Sequence, residues 1–132
     1  MLYLDASALV KRYIEEEGSA EVVEAMDAAR ALSICRIGFV ETARAIALGG
    51  DDRDLRKMEA EWHWLDVVDV DQALAERAAK LAVSHQLRSL DALHLAAALA
   101  LPDGDLTFAT WDSRLHRAAR EQGLSTLPAA LD

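Results

Sequence analysis

Cysteine is nearly absent from this chain. Cys35 stands alone, so no internal disulfide framework and no cysteine-rich zinc site can form, and a reducing compartment suits the composition. Proline (2) and glycine (6) are too scarce among 132 residues for linkers or low-complexity tracts. Long apolar runs are missing as well. The longest, Leu95 to Leu101, is far short of the roughly 20 residues that cross a bilayer. The opening stretch MLYLDASALVKRYIEEE reaches charge too soon for a signal peptide. The expectation is a cytoplasmic protein with no membrane segment. Positive charge is in deficit too: 14 Lys and Arg face 23 Asp and Glu, a net charge of −9. That excludes the simplest nucleic-acid binder, a domain coated in basic side chains. It does not exclude an enzyme whose bound cations offset a local group of carboxylates.

What is present suits a folded core. The chain is 52% hydrophobic and 28% charged, which disfavours disorder. Its length fits one domain, residues 1–132, burying roughly two thirds of the surface that the unfolded chain exposes. The few breakers sit where elements should end: Gly18, Gly49-Gly50, Pro102-Asp103-Gly104, Gly123 and Pro128. Between them, short apolar runs alternate with longer amphipathic ones. The spacing predicts strands at Leu2–Leu4, Leu32–Cys35, Val67–Val70, Leu106–Ala109 and Ser125–Leu127. Helices are predicted at Ala6–Ile14, Ala20–Arg30, Ile37–Leu48, Asp51–Leu65, Asp71–Leu87, Leu90–Leu101 and Asp112–Gln122. Such alternation implies an α/β protein with a parallel sheet covered on both faces. In sheets of that kind, sites form beyond the carboxyl ends of the strands.

Four acids occupy informative places. Asp5 directly follows the first strand, and Asp112 comes shortly after the fourth. Asp91 lies at the start of a helix, and Glu41 lies inside one. Drawn together, they would offer hard oxygen ligands suited to magnesium or manganese, ions that commonly act on phosphates. Each acid also has a plainer explanation. An aspartate at a helix start caps free N–H groups, worth about 0.5–2 kcal/mol. Glu41 and Arg44 are spaced as a solvated i,i+3 pair. Spacing alone does not choose between these readings.

The residues around the acids add a resemblance. Tyr3-Leu4-Asp5-Ala6-Ser7-Ala8-Leu9-Val10-Lys11 resembles the opening of PIN-domain proteins, in particular the VapC-type toxins of bacterial toxin–antitoxin pairs. Val40-Glu41-Thr42-Ala43-Arg44-Ala45 resembles the second acidic motif of that family. Arg88-Ser89-Leu90-Asp91-Ala92-Leu93-His94-Leu95-Ala96-Ala97-Ala98 resembles the third, and Thr110-Trp111-Asp112-Ser113-Arg114-Leu115 the fourth. The first and third are the most specific.

The resemblance implies a three-layer α/β/α sandwich around a short parallel sheet. It implies a metal-dependent endoribonuclease that uses Mg2+ or Mn2+, with Asp5, Glu41, Asp91 and Asp112 as the catalytic and metal-binding acids. Asp5 and Asp91 would be the principal metal holders. Ser7 and Thr110 would support them by orienting a carboxylate or a metal-bound water, although capping fits their positions equally. The implied partners are an RNA substrate, a cognate antitoxin protein and a second copy of the chain in a homodimer. Two residues depart from the pattern: Cys35 stands where related chains often carry Ser or Thr, and bulky Trp111 sits beside the pocket.

Other residues carry plainer expectations. His63, His85, His94 and His116 show no metal spacing. His94 falls three residues after Asp91, on roughly the same helical side, and is read as satisfying a hydrogen bond in the core, with a place at the pocket rim as the alternative. Trp62 and Trp64 read as core or interface anchors. Lys11, Arg12, Arg36, Arg44, Arg88, Arg114 and Arg117 lie near motifs and are candidates for phosphate contacts. Even without the four pocket acids, 19 acidic side chains face 14 basic ones, so nonspecific RNA binding should be weak. Three other readings remain: an inactive PIN-like partner-binding domain, a phosphatase with Asp5 as nucleophile, and a structural domain whose acids are only caps. The phosphatase reading lacks a second aspartate two residues after Asp5, where Ser7 stands.

Overall fold

The computed structural model describes residues 1–102 and 104–131; Asp103 of the expected Pro102–Gly104 turn, and Asp132, lie outside the described residues. Five strands, β1 (Leu2–Leu4), β2 (Leu32–Cys35), β3 (Leu65–Val68), β4 (Thr107–Ala109) and β5 (Ser125–Leu127), form one sheet in the order β3-β2-β1-β4-β5. Every pairing is parallel, for example Tyr3 with Ser33 on one side and with Phe108 on the other.

Successive side chains of a strand point to opposite faces, and this alternation builds two cores. Tyr3, Cys35 and Phe108 face helices α5 (Gln72–His85), α6 (Ser89–Leu99) and α7 (Ser113–Glu121), where Leu81, Leu95 and Leu115 meet them. Leu2, Leu4, Ile34 and Ala109 face the opposite way, against Leu9 of α1 (Ala6–Leu9) and Val22 and Met26 of α2 (Ser19–Ala28). A smaller cluster of Val10, Ile46 and Met58 ties in α3 (Ile37–Gly49) and α4 (Asp52–Glu61). The result is the expected α/β/α layering. No helix among the described residues is long and apolar enough to cross a membrane.

The differences from expectation are local. The helix predicted over Ala6–Ile14 is α1 followed by a 3-10 turn at Val10–Arg12. The helix predicted to run to Leu65 stops at Glu61, and a 3-10 turn at Trp62–Trp64 leads into β3. Trp62 packs edge-on against Phe39 with ring centroids 5.0 Å apart, and Leu65 pairs with Leu32 in the sheet. Packing of these apolar residues overrides helical propensity and draws the third strand two residues earlier than predicted. Trp64 stays half-exposed, under the Arg12 guanidinium.

Candidate active site

The chain runs outward from β1 through β2 to β3, then returns across the sheet to lay β4 on the other side of β1. The connections leaving β1 and β4 therefore diverge, and a crevice opens beyond their carboxyl ends. Asp5 follows β1 directly, and Thr110, Trp111 and Asp112 follow β4. The topology places two of the four acids at this point before any side-chain detail is considered.

Asp5 is buried and held from three sides. Its Oδ1 accepts from the Ser7 hydroxyl at 2.7 Å and from the Ala8 N–H at 2.9 Å, while its Oδ2 accepts from the Thr110 hydroxyl at 2.6 Å. The two hydroxyls are held in turn: the Trp111 N–H donates to Ser7 Oγ at 2.9 Å, and the Asp112 N–H to Thr110 Oγ1 at 3.1 Å. Asp5 thus caps α1 and stands in the crevice at once. Burial pushes its pKa above the ordinary range, and His94 and the surrounding donors only partly offset this.

Asp112 also has two roles. Its Oδ1 caps α7 by accepting from the Leu115 N–H at 2.9 Å, which leaves Oδ2 facing Arg88. Asp91 is no cap, because α6 begins at Ser89 and places Asp91 inside the first turn. Burial, and then the nearby charge of Asp112, raise the Asp91 pKa. Arg88 bridges the pair, its Nε donating to Asp91 Oδ2 at 3.3 Å and its Nη2 to Asp112 Oδ2 at 3.1 Å. Arg88, Asp91, Asp112 and Arg114 line a hollow of about 270 Å³. A larger depression of about 700 Å³, lined by Glu15 and residues of α2, holds none of the four acids.

Glu41 does not pair with Arg44 among the described residues. It accepts from His94 Nε2 at 2.6 Å. The buried His94 ring is fixed from its other side by Tyr3, whose hydroxyl accepts from the Cys35 N–H at 3.0 Å and shares a hydrogen bond with Nδ1 at 2.7 Å. A carboxylate only accepts, so the Nε2–H of His94 is the donor to Glu41. Gly38 makes the approach of α3 feasible: a Cβ there would lie 2.5 Å from Ile34 Cδ1 and 3.3 Å from His94 Cε1. The spacing from Asp91 offers His94 either a core hydrogen bond or a place at the pocket rim; the ring is buried and reaches Glu41 as well. Tyr3 as its partner has no signal in the sequence.

Several candidate phosphate contacts are already engaged. Lys11 is buried, donating to Glu16 and to the Glu17 carbonyl while lying over the Trp111 ring. Arg12 is paired with Glu61, and Arg36 with Asp69. Trp111 stacks its indole against Gly18, where a Cβ would lie 2.7 Å from the ring. Lys11 and Gly18 therefore hold it at the rim. Arg88 and Arg114 remain at the acidic hollow itself.

The donor set suits a hard divalent cation, and the Arg88 guanidinium is a cation standing between two mutually repelling carboxylates. Among the described residues, no three His, Cys, Asp or Glu side chains are arranged to hold an ion by themselves. Magnesium is usually held by one or two carboxylates plus waters and substrate oxygens, so a coupled pair is sufficient. That pair is Asp91 with Asp112, and the Thr110 hydroxyl links the Asp112 backbone to the buried Asp5.

The family model described as PIN domain matches residues 2–121. Ribonuclease VapC49 of Mycobacterium tuberculosis is 37% identical over 141 residues, an alignment covering 100% of this chain and 98% of that one. Among solved structures, a toxin–antitoxin complex from Klebsiella pneumoniae superposes with a TM-score of 0.69 at 18% identity, covering 86% of this chain and 88% of that one. The sarcin–ricin loop cleaving toxin VapC20 of M. tuberculosis superposes with a TM-score of 0.67 at 14% identity, covering 100% and 90%. At these identities the structural likeness speaks for the fold alone.

Proposed function

This chain belongs to the PIN-domain family, and from that premise we propose that it is the endoribonuclease toxin of a toxin–antitoxin pair, hydrolysing RNA phosphodiester bonds with a divalent metal ion. The observation that carries the reading is the Arg88-bridged pair of Asp91 and Asp112, with Thr110 linking the Asp112 backbone to the buried Asp5, in a chain 37% identical along its length to a named ribonuclease.

Asp91 and Asp112 would hold a magnesium or manganese ion, with Asp5 completing the negative wall. When bound, such an ion polarises a phosphoryl oxygen and makes a coordinated water more acidic. Ser7 and Thr110 keep the Asp5 carboxylate from rotating, so its charge is aimed before substrate arrives. His94 fixes one oxygen of Glu41, leaving Oε2 to accept a proton from the attacking water. No side-chain nucleophile is required, and burial raises the pKa of Cys35, which keeps it an unreactive thiol.

The antitoxin is the natural partner for a surface this acidic. A basic segment lying over the hollow would satisfy Asp91 and Asp112 and block RNA. We further read the chain as a homodimer working in the cytoplasm.

The test is to incubate purified protein with total RNA and Mg2+ and map new ends by sequencing. Discrete cleavage sites that vanish with Asp5→Asn support the reading. Equal cleavage by a folded Asp5→Asn variant overturns it.

A further inference from the structure

Arg88 is an odd residue for the place it occupies. It stands at the cap position of α6, yet its side chain makes no capping bond. It folds forward over Asp91 and across to Asp112 instead, although the side chain is 78% exposed to solvent. Its two contacts, 3.3 and 3.1 Å, are long for charge-assisted bonds. Arg12 provides a contrast. It meets Glu61 at 2.9 Å with both side chains only 13% exposed, and Tyr13 bonds the same carboxylate. Arg12 is locked into the fold, whereas Arg88 is laid across the mouth of the hollow.

We propose that Arg88 is a displaceable stand-in for the divalent ion: it spans Asp91 and Asp112 in the metal-free protein, and on metal loading it swings to the rim, where with Arg114 it grips a phosphate of the RNA. The proposal rests on the metal-nuclease reading above and assigns a residue to it. Two carboxylates crowded together need a positive charge between them, and the chain supplies one from its own α6. An exposed ion pair contributes little to stability, so a divalent ion can evict the guanidinium at small cost. The freed side chain remains beside Arg114, which donates to the Gln86 carbonyl and forms no ion pair among the described residues. Two planar guanidiniums flanking a metal site match the geometry of a phosphodiester. Metal and RNA binding are then coupled through one side chain.

Binding of Mn2+ alone, measured by calorimetry, tests the first half on wild type, Arg88→Ala, Arg88→Gln and Arg36→Ala. Arg36 is a similarly exposed arginine paired with Asp69 away from the hollow. The expectation is Mn2+ affinity roughly twofold to fivefold tighter in both Arg88 variants, the scale of one surface ion pair, with Arg36→Ala unchanged. The second half is read from binding of a 2′-O-methylated, uncleavable RNA. Arg88→Ala should bind it more weakly than wild type with Mn2+ present and equally in EDTA. If wild type binds Mn2+ and the Arg88 variants bind it no tighter, the stand-in role is overturned while the metal reading stands. If neither wild type nor variants bind Mn2+, the metal reading itself falls. RNA affinity that drops equally with and without Mn2+ overturns the swing.

Discussion

His94 Nε2 lies 2.6 Å from Glu41 Oε1, and the opposite nitrogen of the same ring takes the Tyr3 hydroxyl at 2.7 Å. A fully buried imidazole therefore connects the central strand to an acid on α3, 53 residues away from it in sequence. Tyr3→Phe removes the hydroxyl that holds the ring from behind and strands the Cys35 N–H. A buried donor left unpaired costs about 1–3 kcal/mol, so urea denaturation should show a loss of that size. Cleavage should fall about 10–100-fold, as when an orienting partner at a metal site is removed. Wild-type cleavage by Tyr3→Phe contradicts the positioning role.

Gly38 sets how closely α3 can approach. Gly38→Ala places a methyl into Ile34 and against His94. Overpacking of this kind costs about 1–3 kcal/mol, and the shift should carry Glu41 off His94. The variant should melt earlier and cleave RNA more slowly, and an NMR spectrum should show a perturbed His94 ring. An unchanged ring signal would contradict the account of this contact.

The fold was legible because its signals are local and repeated. Breakers mark the ends of elements, and strand-length apolar runs alternate with amphipathic helices. The path of Ala6–Arg12 and the start of β3 were not legible, because packing of Val10, Trp62 and Leu65 decides them. At the candidate site, the motifs point to Asp5, Asp91 and Asp112, and the structure sets Asp91 with Asp112 around Arg88. Asp5 and Asp112 do cap their helices, each with one oxygen, and the second oxygen meets Thr110 or Arg88, so capping does not exhaust either carboxylate. The link from Tyr3 through His94 to Glu41 spans distant segments, and no spacing rule could announce it. Arg88 was noted only as a nearby cation, because its bond to Asp112 crosses 24 residues.

Asp91 titrates above its ordinary value of 3.8 in the folded protein, through burial and then Asp112. The sign follows from linkage. A group raised on folding contributes its stability below the unfolded pKa and loses it as pH rises through the folded one. At pH 7 in EDTA the Asp91 charge is therefore a net burden. Asp91→Asn should be more stable than wild type there, by ~0.5–1 kcal/mol for a partly exposed charge. The gap should close as pH falls below 3.8, and saturating Mg2+ should reverse the order by binding only native wild type. Thermal melts across pH, with and without Mg2+, check all three.

The most direct test of the account is the initial rate of RNA cleavage as Mg2+ is titrated into EDTA-stripped protein, for wild type and Asp91→Asn side by side. The account predicts no cleavage without metal, a saturable rise for wild type, and a loss of at least about 100-fold for a folded Asp91→Asn variant at every Mg2+ concentration. Cleavage by wild type at full rate in EDTA, or by Asp91→Asn at the wild-type rate in Mg2+, would contradict it.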